Sequence, residues 1–318
     1  LTPPIIFFQR PFPSANAVLL TGPRPVLVDP GFGADVPALK IWLQAQGTPL
    51  DTVALVVNTH FDCDHAGANH ALIGYGLPIA AGAAEAAMVN ARHPDSCRAR
   101  WLHQPIEPYR VARPLHDGDQ VGTGSWSWQV LDTPGHTAGH ISLYCAEAEI
   151  LVAGDVVHSD DLGWIDLHRP GAIDEADATI AKLAALPVRV AYSGHGKPTL
   201  DPGAALATAR LRLRGWRTAP ERMAWHAVKR VFAYGLMVED GVSADGVLPY
   251  LLGCPWFHDY AAIPFGVTPD QFAGMLLDAM IQSGAARWQG DRLVAGAPFV
   301  PPRRGWAVAP TEPALWPR

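Results

Sequence analysis

The stretch NTHFDCDHAGANH, residues 58–70, decides how the chain is read. It crowds His60, Asp62, Asp64, His65 and His70 together, directly after the apolar run TVALVV. Like charges so close repel, and burying them unpaired is costly. A bound cation removes the conflict, so the stretch points to a metal site at the end of a buried strand.

The same arrangement recurs along the chain. Further apolar runs end in TPGHTAGH (133–140), AGD (153–155) and SGHG (193–196). They offer His136 and His140, then Asp155, then His195. Each fragment alone is an ordinary turn. Together they form an ordered set of imidazoles and carboxylates at strand ends, where a rigid sheet holds polar side chains in place. Alternation along an extended loop places residues 60, 62 and 64 on one side and turns His65 away, a way to feed two adjacent ions. Gly67 lets the chain turn close to the site. His140, four residues past His136, reads as a structural hydrogen-bonding residue, and His70 as packing on the following helix. The Cys63 side chain is expected to point away from the site.

Further outward, NAVLLTGPRPVLVDPG reads as two strands around a Gly-Pro turn, and DTVALVVN as a strand covered on both faces. VPALKIWLQAQG is helical, with Leu39, Trp42 and Leu43 on one side and Gly47 as its stop. LPIAAG and SWSWQVLDTPG read as strands, ISLYCAEAEILVAGD as a hairpin, and VRVAYSGHG as a last strand. DEADATIAKLAALP is a helix with Asp174 as its expected N-cap. The segment 85–114 lacks clean periodicity. Its Arg98, Arg100, Arg110 and Arg113 read by default as solvated. His158, Asp160, Asp161 and Trp164 read as a polar loop.

The texture changes near Gly203. Three helical patterns follow, the last being TPDQFAGMLLDAMIQSG with Thr268 as N-cap, Pro269 at the first helical position, Gln271 closing a capping box and Gly284 as terminator. ARWQGDRLVAG then reads as a hairpin, giving a winged-helix-like module, and the Pro-rich end reads as an extended arm. The expected division is a domain over 1–205 and a helical one over 206–318. The tail is expected to dock over the active-site cleft and to support a homodimer.

The 318 residues carry a net charge of −6, against a general nucleic-acid coat. Residues 1–202 hold 12 Lys and Arg against 21 Asp and Glu, and residues 203–318 hold 12 against 9. Much of the positive excess lies in RLRLRGWR (210–217), whose default reading is a solvated helix face. No run of about 18 apolar residues suggests a membrane span. The start LTPPIIFFQRPFPS lacks the charged beginning and long apolar core of a signal peptide. The four cysteines, Cys63, Cys97, Cys145 and Cys254, show no disulfide framework, so a cytoplasmic location is expected.

The pieces THFDCDHAG, TPGHTAGHISL, AGD and SGHG, with VLVDPG upstream, resemble the metallo-β-lactamase superfamily over about residues 12–200. The resemblance implies an α/β fold: an αββα sandwich of two face-to-face sheets with helices outside and a two-metal site at one edge. It implies that His60, the residue at 62 and His136 hold a first ion, that Asp64, His65 and His195 hold a second, and that Asp155 bridges them. Asp64 is the expected catalytic residue. The tail looks like the branch that contains β-lactamase-like protein 2 and polyketide-releasing thioesterases.

Position 62 departs from the family pattern, which has histidine there. A carboxylate is still a competent ligand, but it changes the charge. Two divalent ions are balanced by Asp62, Asp64, Asp155 and a bridging hydroxide, so each ion should be a weaker Lewis acid. The expected cofactors are two divalent ions, zinc first, with manganese or iron as alternatives that oxygen donors favour. The leading expectation is a hydrolase whose metal-bridging hydroxide attacks a thioester, lactone or other ester of a small molecule. A phosphodiesterase is the hydrolytic alternative, favoured if the tail's arginines face the metal cleft. An iron-dependent redox enzyme and a non-catalytic nucleic-acid binder are the other classes weighed. No GxSxG motif supports a serine nucleophile.

Overall fold

The computed structural model describes residues 4–159, 161–307 and 312–318. Its first sheet contains β1 (Ile5–Phe8), β2 (Ala17–Leu20), β3 (Val26–Val28), β4 (Leu55–Asn58), β5 (Ile79–Gly82) and β6 (Arg113–Leu115), side by side in chain order. The second contains β7 (Gln120–Gly122), β8 (Ser127–Asp132), β9 (Ile141–Cys145), β10 (Ile150–Gly154) and β11 (Val190–Ser193), also in chain order.

Both faces of the central strands are buried, and the period-two alternation shows against what. In β10, Ile150 and Val152 enter the core between the sheets, while Leu151 and Ala153 face helices. In β4, Leu55 and Val57 point inward to Trp128, Val130 and Leu143 of the opposite sheet, and Val56 points outward. The outer face of the first sheet is covered by α1 (Val36–Ala45), α3 (Asn69–Gly74) and α4 (Ala83–Ala91), and the short α5 (Ala99–Leu102) follows before β6. The outer face of the second is covered by α6 (Ala172–Ala184) and α7 (Pro202–Thr218). The layers are therefore helix, sheet, sheet, helix, as expected.

Strand direction brings the polar residues together. β8 is antiparallel to β9, β9 is antiparallel to β10, and β10 is parallel to β11. So β8, β10 and β11 all end at one edge, delivering His136, Asp155 and His195 there. The Ile141 N–H donates to the Thr59 carbonyl at 2.8 Å, joining the end of β4 to the same edge. The Asn16 side chain donates to the carbonyls of Ser193 and Gly196, at 3.0 and 2.9 Å, and fixes the His195 loop.

Three local expectations are corrected. Residues 60–65 are not one extended loop: Asp62 is extended, but α2 (Cys63–Ala66) is a helical turn with Asp62 at its N-cap. A turn of helix rotates successive side chains by about 100°, so Asp64 and His65 can serve the same pocket. α6 begins earlier than expected, with Gly171 at the N-cap and Asp174 in its first turn. His70 lies on α3 itself, exposed, with Nδ1 2.6 Å from the Pro108 carbonyl.

The tail contains α8 (Pro220–Val238), α9 (Val247–Leu252), α10 (Pro255–Ala262) and α11 (Pro269–Gln282), with a small sheet of β12 (Val242–Ser243), β14 (Arg292–Ala295) and β13 (Ala286–Gln289). Phe232, Trp256, Phe257, Tyr260 and Phe272 fill its own core. α11 has the expected capping box and stop, with Gly284 at φ 70°. The expected division at 205/206 falls inside α7, whose inner face shares a core with α6. The Pro-rich end packs back on the first layer: Trp316 is buried, its ring centroid 5.9 Å from that of Tyr109. Residues 308–311 of that arm, and Asp160 of the polar loop, lie outside the described residues. No helix among the described residues is long and apolar enough to cross a membrane.

Candidate metal centre

The seven expected ligand residues meet at the shared edge. Their donor atoms form three overlapping groups, each within 4.8 Å: His60, His65 and Asp155; His60, Asp62 and His136; Asp64, His65 and His195. His60 and His65 are fully buried, and His136, Asp62, Asp64 and Asp155 nearly so.

The hydrogen bonds around each imidazole fix which nitrogen is free. Thr59 Oγ1 donates to Asp29 Oδ2 at 2.7 Å, so it accepts from His60 Nδ1 at 3.1 Å. His65 Nδ1 donates to the same Asp29 oxygen at 2.9 Å. His136 Nδ1 donates to the Trp164 carbonyl at 2.7 Å. In all three the Nε2 lone pair is left facing the centre, the arrangement that metal-ligating histidines need. Among the described residues, His60 Nε2, His65 Nε2 and Asp155 Oδ1 are buried without any hydrogen-bond partner. Such orphans are costly unless a ligand meets them, and together they fit a divalent cation.

The two halves of the centre differ. In one, His195 Nε2 lies 3.1 Å from Asp64 Oδ2 and 3.7 Å from Asp155 Oδ2. His65 Nε2 lies 3.7 Å from Asp64 and 3.6 Å from Asp155. Burial disfavours the charged imidazole of His65, but Asp29, Asp64 and Asp155 outweigh it and hold the pKa up at about 10. A cation satisfies those carboxylates better than a proton and releases it on binding. The residues here fit a metal ion.

In the other half, the Arg98 guanidinium is already present. Its Nε donates to Asp62 Oδ1 at 2.9 Å and its Nη2 to Asp62 Oδ2. Nη2 also lies 3.0 Å from His136 Nε2, and Nη1 donates to the His136 carbonyl at 3.3 Å. Burial alone would raise the Asp62 pKa, but Arg98, His136 and His60 hold it well below the usual range. The default reading of Arg98 as solvated is thus overturned. Its segment carries no periodic pattern from which the direction of the side chain could be read. Arg100, Arg110 and Arg113 are exposed, as expected.

Supporting residues also find their places. His140 accepts from the Asp155 backbone N–H on Nε2 at 3.1 Å and donates from Nδ1 to Thr133 Oγ1 at 2.8 Å, the structural role expected of it. Cys63 turns away and donates to Gln104 Oε1 at 2.8 Å. The four cysteines are free and buried. Asp29 and Glu85, neither singled out in the sequence, are both buried at the site. Asp29 sits in VLVDPG with φ 52°, a turn whose strand-end aspartate was the available signal.

A cleft of about 870 Å³ opens above the centre. Asp64, Asp155 and His195 lie on its floor, and α8 supplies Trp225, Lys229 and Tyr234 from the other side. The tail therefore roofs the site. Arg212 of RLRLRGWR also lines the cleft and pairs with Asp161, while Arg210 and Arg217 pair with Asp177 and Asp174 on α6. The arginine run is thus only partly the solvated face expected. His158 lines the cleft too, its ring centroid 6.1 Å from that of His195.

Comparison with known proteins places this geometry. The model of the metallo-beta-lactamase superfamily matches residues 10–195. The hydroxyacylglutathione hydrolase of Chelativorans sp. strain BNC1 is 31% identical over 163 residues, 51% of this chain and 55% of that protein. The hydroxyacylglutathione hydrolase of Brucella anthropi is 28% identical over 223 residues, 65% of this chain and 76% of its own length. The chain thus spans little more than half of the first relative. Among solved structures, a metallo-beta-lactamase family protein from Thermus thermophilus superposes with a TM-score of 0.57 at 23% identity, over 92% of this chain and 99% of that one. The subclass B3 metallo-beta-lactamase of Bradyrhizobium japonicum gives 0.56 at 19% identity, over 69% and 92%. At these identities the structures share the fold.

Proposed function

Because the chain belongs to the metallo-beta-lactamase superfamily, we propose that it is a metal-dependent hydrolase of a small thioester whose thiol half is anionic. The observation that carries this reading is the set of orphaned donors, His60 Nε2, His65 Nε2 and Asp155 Oδ1, beside a cleft whose roof carries Arg212, Arg222, Lys229 and Arg230. Residues 1–205 would supply the metal centre and 206–318 the roof.

Asp64, His65, Asp155 and His195 would hold an ion. When bound, a divalent ion supplies a Lewis acid and lowers the pKa of a water to about 7, which makes a nucleophile without a separate base. The chain's own residues do the rest. Asp29 and Thr59 hold His65 and His60 in one tautomer. His140 fixes the Asp155 backbone. Asp64, the proposed catalytic residue, stands between His65 and His195. Trp164 and Trp216 line the cleft with apolar surface.

The leaving group is read from the roof. Arg222, Lys229 and Arg230 line the cleft together with Arg212; among the described residues Asp161 pairs with Arg212 and Arg230 there, leaving Arg222 and Lys229 beside them. A cationic wall suits a thiol that carries carboxylates or phosphates. The relatives named for hydroxyacylglutathione act on a thioester of this kind. The same arginines favour a second reading, a phosphodiesterase.

The test is a panel assay on metal-stripped and metal-restored protein, with thioesters of anionic and neutral thiols, lactones, β-lactams and phosphodiesters. The expected result is metal-dependent turnover, highest for the anionic thioesters. Lys229→Ala should raise KM for those by roughly tenfold, the worth of one charged hydrogen bond, with kcat little changed. Turnover of phosphodiesters alone, or hydrolysis indifferent to metal, would overturn the thioester reading.

A further inference from the structure

We infer that the Arg98 guanidinium stands where the first of two ions would sit, so that the chain binds one divalent ion, in the Asp64–His65–Asp155–His195 half, beside a fixed organic cation. This rests on the proposed metal centre and narrows it. Two of the three donors of the first half, Asp62 and His136, are turned to Arg98, while His60 Nε2 has no hydrogen-bond partner and also groups with His65 and Asp155. Both Asp62 oxygens accept from its Nε–Nη2 edge, and the free lone pair of His136 Nε2 faces Nη2 at 3.0 Å. A bidentate fork on a carboxylate is the geometry guanidinium favours. The Trp164 ring backs the group, 4.3 Å from Cζ to the ring centroid.

The backbone shows that this position is built. Cys97 and Arg98 are consecutive non-glycine residues at φ 59° and 49°. Such residues are uncommon and persist where the surroundings impose them. The surroundings here are the buried Cys97 thiol on one side and the Asp62 fork on the other.

Charge gives a second argument. Before any metal-bound hydroxide is counted, one divalent ion and Arg98 carry three positive charges against Asp62, Asp64 and Asp155, with Asp29 a fourth carboxylate behind His65. A second ion would bring two more positive charges against the guanidinium in a buried space. Position 62 also acquires a reason. Histidine there offers one lone pair and no charge, whereas aspartate offers two oxygens and a negative charge, as the fork requires. Asp62 and Arg98 explain each other, and direct ligation by Asp62 gives way to a salt bridge.

The experiment strips the full-length protein with chelator, saturates it with Zn²⁺ or Mn²⁺, removes excess and measures metal per chain. Electron paramagnetic resonance of the Mn²⁺ form separates an isolated ion from a coupled pair. Wild type should hold one uncoupled ion. The double variant Arg98→Met, Asp62→His, which removes the guanidinium and supplies an imidazole, should hold two. Two coupled ions in wild type would overturn the inference whether or not the variant folds. So would a folded double variant that still holds one. Absent thioester turnover with one ion per chain would instead defeat the functional reading and leave this one standing.

Discussion

Glu85 illustrates how the site is held by buried groups outside the proposed ligand set. Its side chain is 1% exposed, accepts from Thr137 next to His136, and leaves Oε2 without a partner. Burial pushes its pKa from 4.5 up to about 8, so the folded protein keeps it neutral at mildly acid and neutral pH. The folded value lies above the unfolded one. Its contribution is therefore complete below pH 4.5 and lost as the pH rises through about 8. Glu85→Gln imitates the protonated form. Wild type should lose stability relative to this variant by about 1.4 kcal/mol per pH unit inside that window. Thermal denaturation of both proteins from pH 5 to 9 measures it, and parallel curves would show that Glu85 is not buried neutral. The same scale shows where the sequence was legible. His60, His136 and His195 could be placed because each follows an apolar strand. Arg98 could not, since a long cationic side chain is solvated unless a buried carboxylate awaits it, and the partner lies 36 residues away.

At the scale of elements, the strand ends set the spacing and small residues allow the approach. A Cβ on Gly194, between β11 and His195, would lie 2.2 Å from Asp155 Oδ1 and 2.5 Å from His65 Cε1. Gly194→Ala must push Asp155 and His65, two of the proposed ligands, apart without disturbing the core of either sheet. Metal affinity should fall roughly tenfold or more, as when ligand orientation is lost, with the fold retained by circular dichroism. An unchanged affinity in a chelator competition would place the ion elsewhere. The period-two strands and the α11 capping box were readable because local chemistry specifies them. The turn Cys63–Ala66 was not: four residues are too few for a helical period, and tertiary contacts decide their shape.

Across the whole molecule, the two sheets bring the proposed ligands to one edge and the tail closes over them. The docking of the tail over the cleft was legible from its tryptophans and its helical texture. Its boundary was not, because α7 continues the helix layer over the second sheet before α8 turns to the cleft. The roof supplies cations, the floor supplies carboxylates, and between them Arg98 divides the centre into an organic and an inorganic half. Anomalous scattering from a crystal of the zinc-loaded protein, collected at the metal's absorption edge, tests this division most directly. The expected map has one peak, within bonding distance of Asp64, His65, Asp155 and His195, with the Arg98 guanidinium still on Asp62. A map without a peak there, or with a second peak between His60, Asp62 and His136 and Arg98 displaced, would contradict it.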